Sequence, residues 1–230
     1  MYGYGISGKK KQLVYTRNFT NRLIHWIIFF SVIVLMVTGY YIGEPVAIYG
    51  IGEPYRLFPM ANIRLIHFVA AMFLDISLMV WVYLAFFSWH HKYYRELVPS
   101  IEVIKESWVV LKCYFNFKKP PFYPRFDPLD GLLFFFLNVV MVIQMLTGFQ
   151  LYVMALPESY WWANIIHLTT DWVTWLFGNS QNVRIYHHLM QWIMLAGVIV
   201  HVYLQVTKTI LWKDGHIGQI VGGYKYRDVD

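Results

Sequence analysis

The chain has 230 residues, of which 58% are hydrophobic, 20% aromatic and only 14% charged. Soluble domains carry about 25% charged residues, so this composition excludes a water-soluble globule and makes lipid the solvent for much of the chain. A lone cysteine, Cys113, excludes an internal disulfide framework, a cysteine-ligated iron–sulfur cluster and a Cys-x-x-Cys-His haem attachment, while the net charge of +6 is spread by loop rather than gathered as a nucleic-acid surface.

A hydrocarbon core of about 30 Å requires about 20 mostly apolar residues in helical form. Four segments qualify: Leu23 to Ile42, Leu65 to Phe87, Leu132 to Leu156 and Ile185 to Trp212, none with an internal proline. A helix satisfies its own backbone hydrogen bonds in lipid, so the predicted fold is an all-α integral membrane protein, a four-transmembrane-helix bundle forming a single domain over residues 1–230. Between the second and third spans, from Pro99 to Phe117, apolar Ile101, Ile104, Trp108, Leu111 and Phe115 recur at helical spacing among charges, which predicts an interfacial helix. Between the third and fourth, Tyr160 to Phe177 holds Trp161, Trp162, Trp172 and Trp175 and predicts another helix at headgroup level.

Sixteen of the nineteen Lys and Arg residues fall in three places: residues 1–22, residues 88–127 and the tail from Lys208. The remaining connections and their helix ends hold Arg56, Arg64 and Arg184, so the positive-inside rule predicts both termini and the middle loop in the cytoplasm. The first apolar stretch is long enough to span and lacks a small-residue cleavage site after it, so no cleavable signal peptide is expected.

Ionisable groups within a span demand partners, and His25, His67, His187 and His201 are four of them. From His187 to His201, fourteen steps of about 100° and 1.5 Å return the side chain to within about 40° of the same face, about 21 Å along the axis. His188 lies about 140° from His201 on the same wheel, which makes His187 the better ligand. With the predicted topology, His25 is level with His201 towards the cytoplasm and His67 is level with His187 on the outer side. Facing imidazoles in an apolar bundle suit haem b, whose iron takes a neutral nitrogen on each axial side, and that arrangement favours electron transfer over oxygen chemistry. Zinc or di-iron would need larger donor sets, and a helix-to-helix hydrogen bond is the plainer role of any one histidine. Gly39 and Gly197 are placed either to admit haem or simply to pack helices. His90 and His91 read as interface anchors, and His167 and His216 as solvated or locally bonded.

The run Arg22, Leu23, Ile24, His25, Trp26, through Ser31 and Leu35 to Thr38-Gly39, resembles the Arg-x-x-His-Trp to Thr-Gly pattern of the b-type cytochrome subunits of membrane-bound nickel–iron hydrogenases. Arg184, Tyr186-His187-His188, Trp192 and His201 resemble that family's other signature, departing from it at Ile185 and Gly197, and Arg64-Leu-Ile-His67 is similar to its stretch before the outer ligand. The resemblance implies a di-haem b anchor in the bacterial cytoplasmic (inner) membrane. It would take electrons from the iron–sulfur small subunit of an outward-facing hydrogenase, and through it from the nickel–iron large subunit, and deliver them to a menaquinone or ubiquinone. His67 and His187 would hold the outer haem iron, His25 and His201 the inner one, and the hydrogen-activating site would lie in the large subunit. No nucleic-acid partner is expected.

A quinone carbonyl needs hydrogen-bond donors at the cytoplasmic boundary, and Tyr114, Asn116, Tyr123, Arg125 and Asp130 are the candidates, in a stretch that Pro120, Pro121, Pro124 and Pro128 would keep out of regular helix. Asp75 and Gln144 are intramembrane polar residues expected to support ligands or helix contacts. A sibling reading exchanges the partner for formate dehydrogenase or a related respiratory complex. A reading of a different class, a transporter or haem-free structural anchor, lacks the broken helices usual for transporters.

Overall fold

The computed structural model describes residues 2–4, 10–45, 58–87, 99–121, 123, 127–154, 156 and 160–228. In chain order the elements are β1 (Tyr2–Tyr4), β2 (Lys10–Tyr15), α1 (Phe19–Gly43), α2 (Pro59–Phe86), α3 (Ile101–Phe115), α4 (Pro128–Val153), α5 (Trp161–Phe177), α6 (Ser180–Ile210), α7 (His216–Val221) and β3 (Tyr224–Asp228). Four of them, α1, α2, α4 and α6, are long and apolar enough to cross a membrane, as the all-α reading expects. Only 17 to 28% of each apolar window is buried in the protein, so the outward faces remain to be covered by lipid.

The four long helices start four to six residues before the apolar runs do. Polar capping accounts for most of this extra length. Asn18 Oδ1 accepts from the Asn21 amide at 2.9 Å, Asp127 Oδ1 from Leu129 at 3.0 Å, and Asn179 Oδ1 from Asn182 at 2.8 Å. Pro59 and Pro128 open α2 and α4, where a missing N–H loses no helical bond. Pro128 therefore starts a helix, contrary to the expectation that it would exclude one, and Asp130 sits in the first turn of α4.

The chain divides into two compact units that share the four long helices. The first comprises residues 1–30, 76–135 and 197–230. Its chain ends form an antiparallel sheet in the order β1-β2-β3, with Tyr2 opposite Gln12 and Tyr15 opposite Tyr224, an addition to the predicted helices. Gly223 turns the chain into β3 at φ 87°, where a side chain would meet the Arg17 carbonyl at 2.7 Å. The unit's apolar core is Val110, Tyr114 and Leu204, flanked by Tyr123, Leu129, Leu133 and Trp212. On α3, the expected apolar positions Ile101, Ile104, Trp108 and Phe115 are exposed, and Ser107, Val110 and Tyr114 form the buried face.

The second unit comprises residues 31–75 and 136–196. It holds α5, whose buried face is Ala163, Thr170 and Val173 and whose Trp161, Trp172 and Trp175 are exposed. Gln150 of α4 ties α5 in place: its carbonyl accepts from Thr170 Oγ1 at 2.6 Å and its amide donates to Thr174 Oγ1 at 2.9 Å.

Candidate functional site

In the first unit, α1 presents His25 and α6 presents His201, with ring centroids 6.5 Å apart and planes inclined by 48°. Neither Nδ1 has a hydrogen-bond partner among the described residues, although both are closed off from solvent. Trp26 and Phe134 stand edge-on or tilted beside the two rings at 5.9 and 5.1 Å. Two imidazoles sharing one metal, each with a metal–nitrogen bond of about 2 Å and a further 1.2 Å or so to the ring centre, would have centroids about 6.4 Å apart. The donor set thus fits a bis-imidazole metal site.

The residues flanking His25 bind the C-terminal segment. Arg22 donates to the Val221 carbonyl at 2.6 Å and Trp26 Nε1 to the Ile220 carbonyl at 3.1 Å, while Thr16 Oγ1 donates to Gln219 at 3.1 Å. The first signature therefore does two things: it supplies a ligand candidate and it grips α7. Sequence reasoning missed the second role because the partner is a six-residue helix nearly two hundred positions away.

Lys208, counted from sequence with the basic tail that sets the topology, is only 2% exposed. Its ammonium lies 2.5 Å from Asp130 Oδ2 and 2.9 Å from Asp127 Oδ2, and Gln205 Nε2 donates to Asp130 at 3.3 Å. Asp130, one of the five quinone candidates, is thus paired and buried. Tyr114 belongs to the apolar cluster with Val110 and Leu204, Tyr123 packs against that cluster, and the Tyr114 ring lies 4.7 Å from Trp212. The Tyr114 hydroxyl is buried with no hydrogen-bond partner among the described residues. Burial, reinforced by the Asp127 and Asp130 carboxylates, holds that phenol well above its ordinary range and keeps it a donor. Asn116 caps α3 and donates to the Lys112 carbonyl at 2.7 Å on the exposed surface, so it stands apart from the tyrosine pair. Arg125, His90 and His91 lie outside the described residues.

In the second unit, α2 presents His67 and α6 presents His187, which lie within electrostatic reach of each other. His67 Nδ1 is 2.8 Å from Thr38 Oγ1 and His187 Nδ1 is 2.8 Å from Thr147 Oγ1. Gln144, expected to support a ligand, donates to the His187 carbonyl at 3.1 Å. Gly39 faces this pair: a Cβ there would lie 3.4 Å from His67 Cε1 and 2.8 Å from Gln191 Oε1. His188 packs instead on Gly43, where a Cβ would come within 2.8 Å of its ring. Asp75 is buried on α2. Gly197 is buried on α6, in the first unit.

Among the described residues no three His, Cys, Asp or Glu side chains converge, so each site offers two nitrogen donors and no larger set. His167 bonds locally as expected, with Nδ1 2.9 Å from Asp171 Oδ1. His216 does not: its Nδ1 is buried without a partner, and burial followed by nearby cations, Lys208 and Lys225 foremost, lowers its pKa to about 3. Thr38 had a place in the first signature without a role, and Thr147 and Gln191 were not singled out. The available signal was the dipeptide Thr-Gly, present within two spans at 38–39 and 147–148.

A profile of the family described as prokaryotic cytochrome b561 matches residues 16–223. A protein of Azotobacter vinelandii named "Probable Ni/Fe-hydrogenase B-type cytochrome subunit" is 37% identical, the alignment covering 94% of this chain and 90% of that protein. One of Cupriavidus necator with the same name is 33% identical over 95% and 89% of the two chains. A Ni/Fe-hydrogenase 1 B-type cytochrome subunit of Escherichia coli K12, named with the same qualifier, is 33% identical over 89% and 87%.

Proposed function

This chain belongs to the prokaryotic cytochrome b561 family, and from that premise we propose that it is the di-haem b membrane subunit of a nickel–iron hydrogenase. In this role it receives electrons from the iron–sulfur small subunit and delivers them to a quinone in the bacterial cytoplasmic membrane. The observation that carries this reading is the pairing of imidazoles: two unpartnered rings at 6.5 Å in one unit and two threonine-held rings in the other. His67 and His187 would hold the outer haem, and His25 and His201 the inner one. Held between two imidazoles, haem would supply one-electron chemistry rather than oxygen binding.

The chain's own residues then divide the work. Arg22 and Trp26 anchor the chain end beside His25. Tyr114, with its unspent hydroxyl proton, and Tyr123 are the strongest of the quinone candidates, because both sit against the apolar cluster around Leu204. Asp130 is spent on Lys208, and that buried ion pair is better suited to bracing α4 against α6 than to holding a neutral ligand. Both termini and the middle loop would face the cytoplasm, so the protons of quinol formation would be drawn from inside.

The test is hydrogen-driven quinone reduction in membranes carrying the complex. We expect His25→Ala to abolish it while hydrogen oxidation with a soluble dye persists, and a nickel-containing large subunit to copurify with the chain. Unchanged quinone reduction would refute the assignment, and copurification of a formate-oxidising subunit instead would transfer the same chemistry to that partner.

A further inference from the structure

The two pairs differ in what holds the second ring nitrogen. Thr38 and Thr147 each have a single hydroxyl hydrogen, and each donates it to the carbonyl four residues back: Thr38 to Val34 at 2.7 Å and Thr147 to Ile143 at 2.7 Å. With that hydrogen committed, the oxygen facing the imidazole accepts. Nδ1 of both His67 and His187 therefore carries the proton, and Nε2 is left with a free lone pair.

The glycine beside each threonine completes the arrangement. A Cβ on Gly39 would lie 3.4 Å from His67 Cε1, and one on Gly148 would lie 3.4 Å from His187 Cε1. The same dipeptide, Thr-Gly, thus occurs on α1 and α4 and receives one imidazole each time. His25 and His201 have no such support among the described residues, where neither Nδ1 finds a hydrogen-bond partner.

We propose that Thr38 and Thr147 are positioning residues that lock both outer histidines in the Nε2-ligating tautomer and set the outer haem at a lower potential than the inner one. This rests on the di-haem reading above. An imidazole that donates its Nδ1 proton to an acceptor is a more basic ligand, and a more basic ligand favours the ferric state. Two such hydrogen bonds act on one site and none on the other, so transfer inward runs downhill. In that transfer one electron passes from the outer ferrous haem to the inner ferric haem, and no proton moves because both Nδ1 protons stay on their rings.

The test is a potentiometric titration of the purified complex carrying Thr38→Val or Thr147→Val, with Thr38→Ser and Thr147→Ser beside them. The outer haem is identified as the one lost in His187→Ala. Each valine variant is expected to raise the outer potential by a threefold to tenfold change in the ferric-to-ferrous ratio, up to about 59 mV for one electron, and to leave the inner potential unmoved. The serine variants, which keep the hydroxyl, are expected to titrate as the wild type. Loss of the outer haem in a valine variant with retention in its serine counterpart also supports the positioning role.

Valine variants with unmoved potentials, serine variants that behave as the valine ones do, or a wild-type outer haem of higher potential than the inner would each overturn the proposal. All three results are obtained on a protein that contains two haems. A wild-type complex lacking them overturns the di-haem reading itself, so the two failures are distinguishable.

Discussion

Both histidine pairs draw one ligand candidate from α6, yet their surroundings are built on different principles. In the second unit each imidazole is held by a threonine at 2.8 Å and lies beside a glycine, so the ring orientation is fixed by neutral hydrogen bonding between helices. In the first unit the rings of His25 and His201 meet at 6.5 Å with unpartnered Nδ1 atoms, and the polar chemistry is displaced to the buried Lys208, Asp127 and Asp130 cluster and to the grip of Arg22 and Trp26 on α7. One site is supported from directly beside its rings. The other is supported through the fold around it.

The largest expected effects separate the pairs outright. His187→Ala should remove one haem and leave the other, His201→Ala should remove the alternative one, and the two difference spectra should sum to that of the wild type. Next, Lys208→Met leaves the buried Asp130 and the half-buried Asp127 without their cation, which should destabilise the chain by about 3 kcal/mol and lower its thermal transition in detergent. The damage should fall first on the His25 and His201 haem, and equal loss of both would erase the distinction between the units.

Smaller changes sharpen the comparison. Gly39→Ala drives a methyl to 2.8 Å from Gln191 Oε1, the movable end of a flexible side chain, and 3.4 Å from His67, so it should destabilise by about 1 kcal/mol at most and shift only the outer haem's spectrum. Gly148→Ala meets only His187 Cε1 at 3.4 Å and should be close to neutral by the same spectral measure. In the first unit, His216 is neutral in the fold because burial and nearby cations, led by Lys208, hold its pKa at about 3 against 6.5 in the unfolded chain. Its contribution is complete above pH 6.5 and is lost as pH falls towards 3, because the unfolded state takes up the proton first. Unfolding curves should therefore weaken by about 1 kcal/mol between pH 6.5 and 5.5, and His216→Gln should flatten that slope.

The four spans and the four histidines were legible in the sequence because lipid imposes a length and because His187 and His201 are spaced to return to one helix face. The helix starts were less legible: Asn18, Asp127 and Asn179 extend the helices by hydrogen bonding, which an apolar count does not register. Strand pairing between Tyr15 and Tyr224 was hidden by sequence separation. Lys208 looked like a topological charge because its two carboxylate partners lie about eighty positions earlier, where they resembled loop residues. Thr147 was hidden for another reason. A lone threonine in a span ordinarily bonds its own helix, as this one does, and only the position of His187 gives its oxygen a second use.

Two b-type haems held on these two pairs are what the proposed function requires. That requirement is tested most directly by the haem-to-protein ratio of the purified complex, measured with its reduced-minus-oxidised spectrum. Two b-type haems per chain are expected, falling to one in either His187→Ala or His201→Ala. A complex with no b-type haem, or one whose haem content is unchanged by both substitutions, would contradict the proposed function.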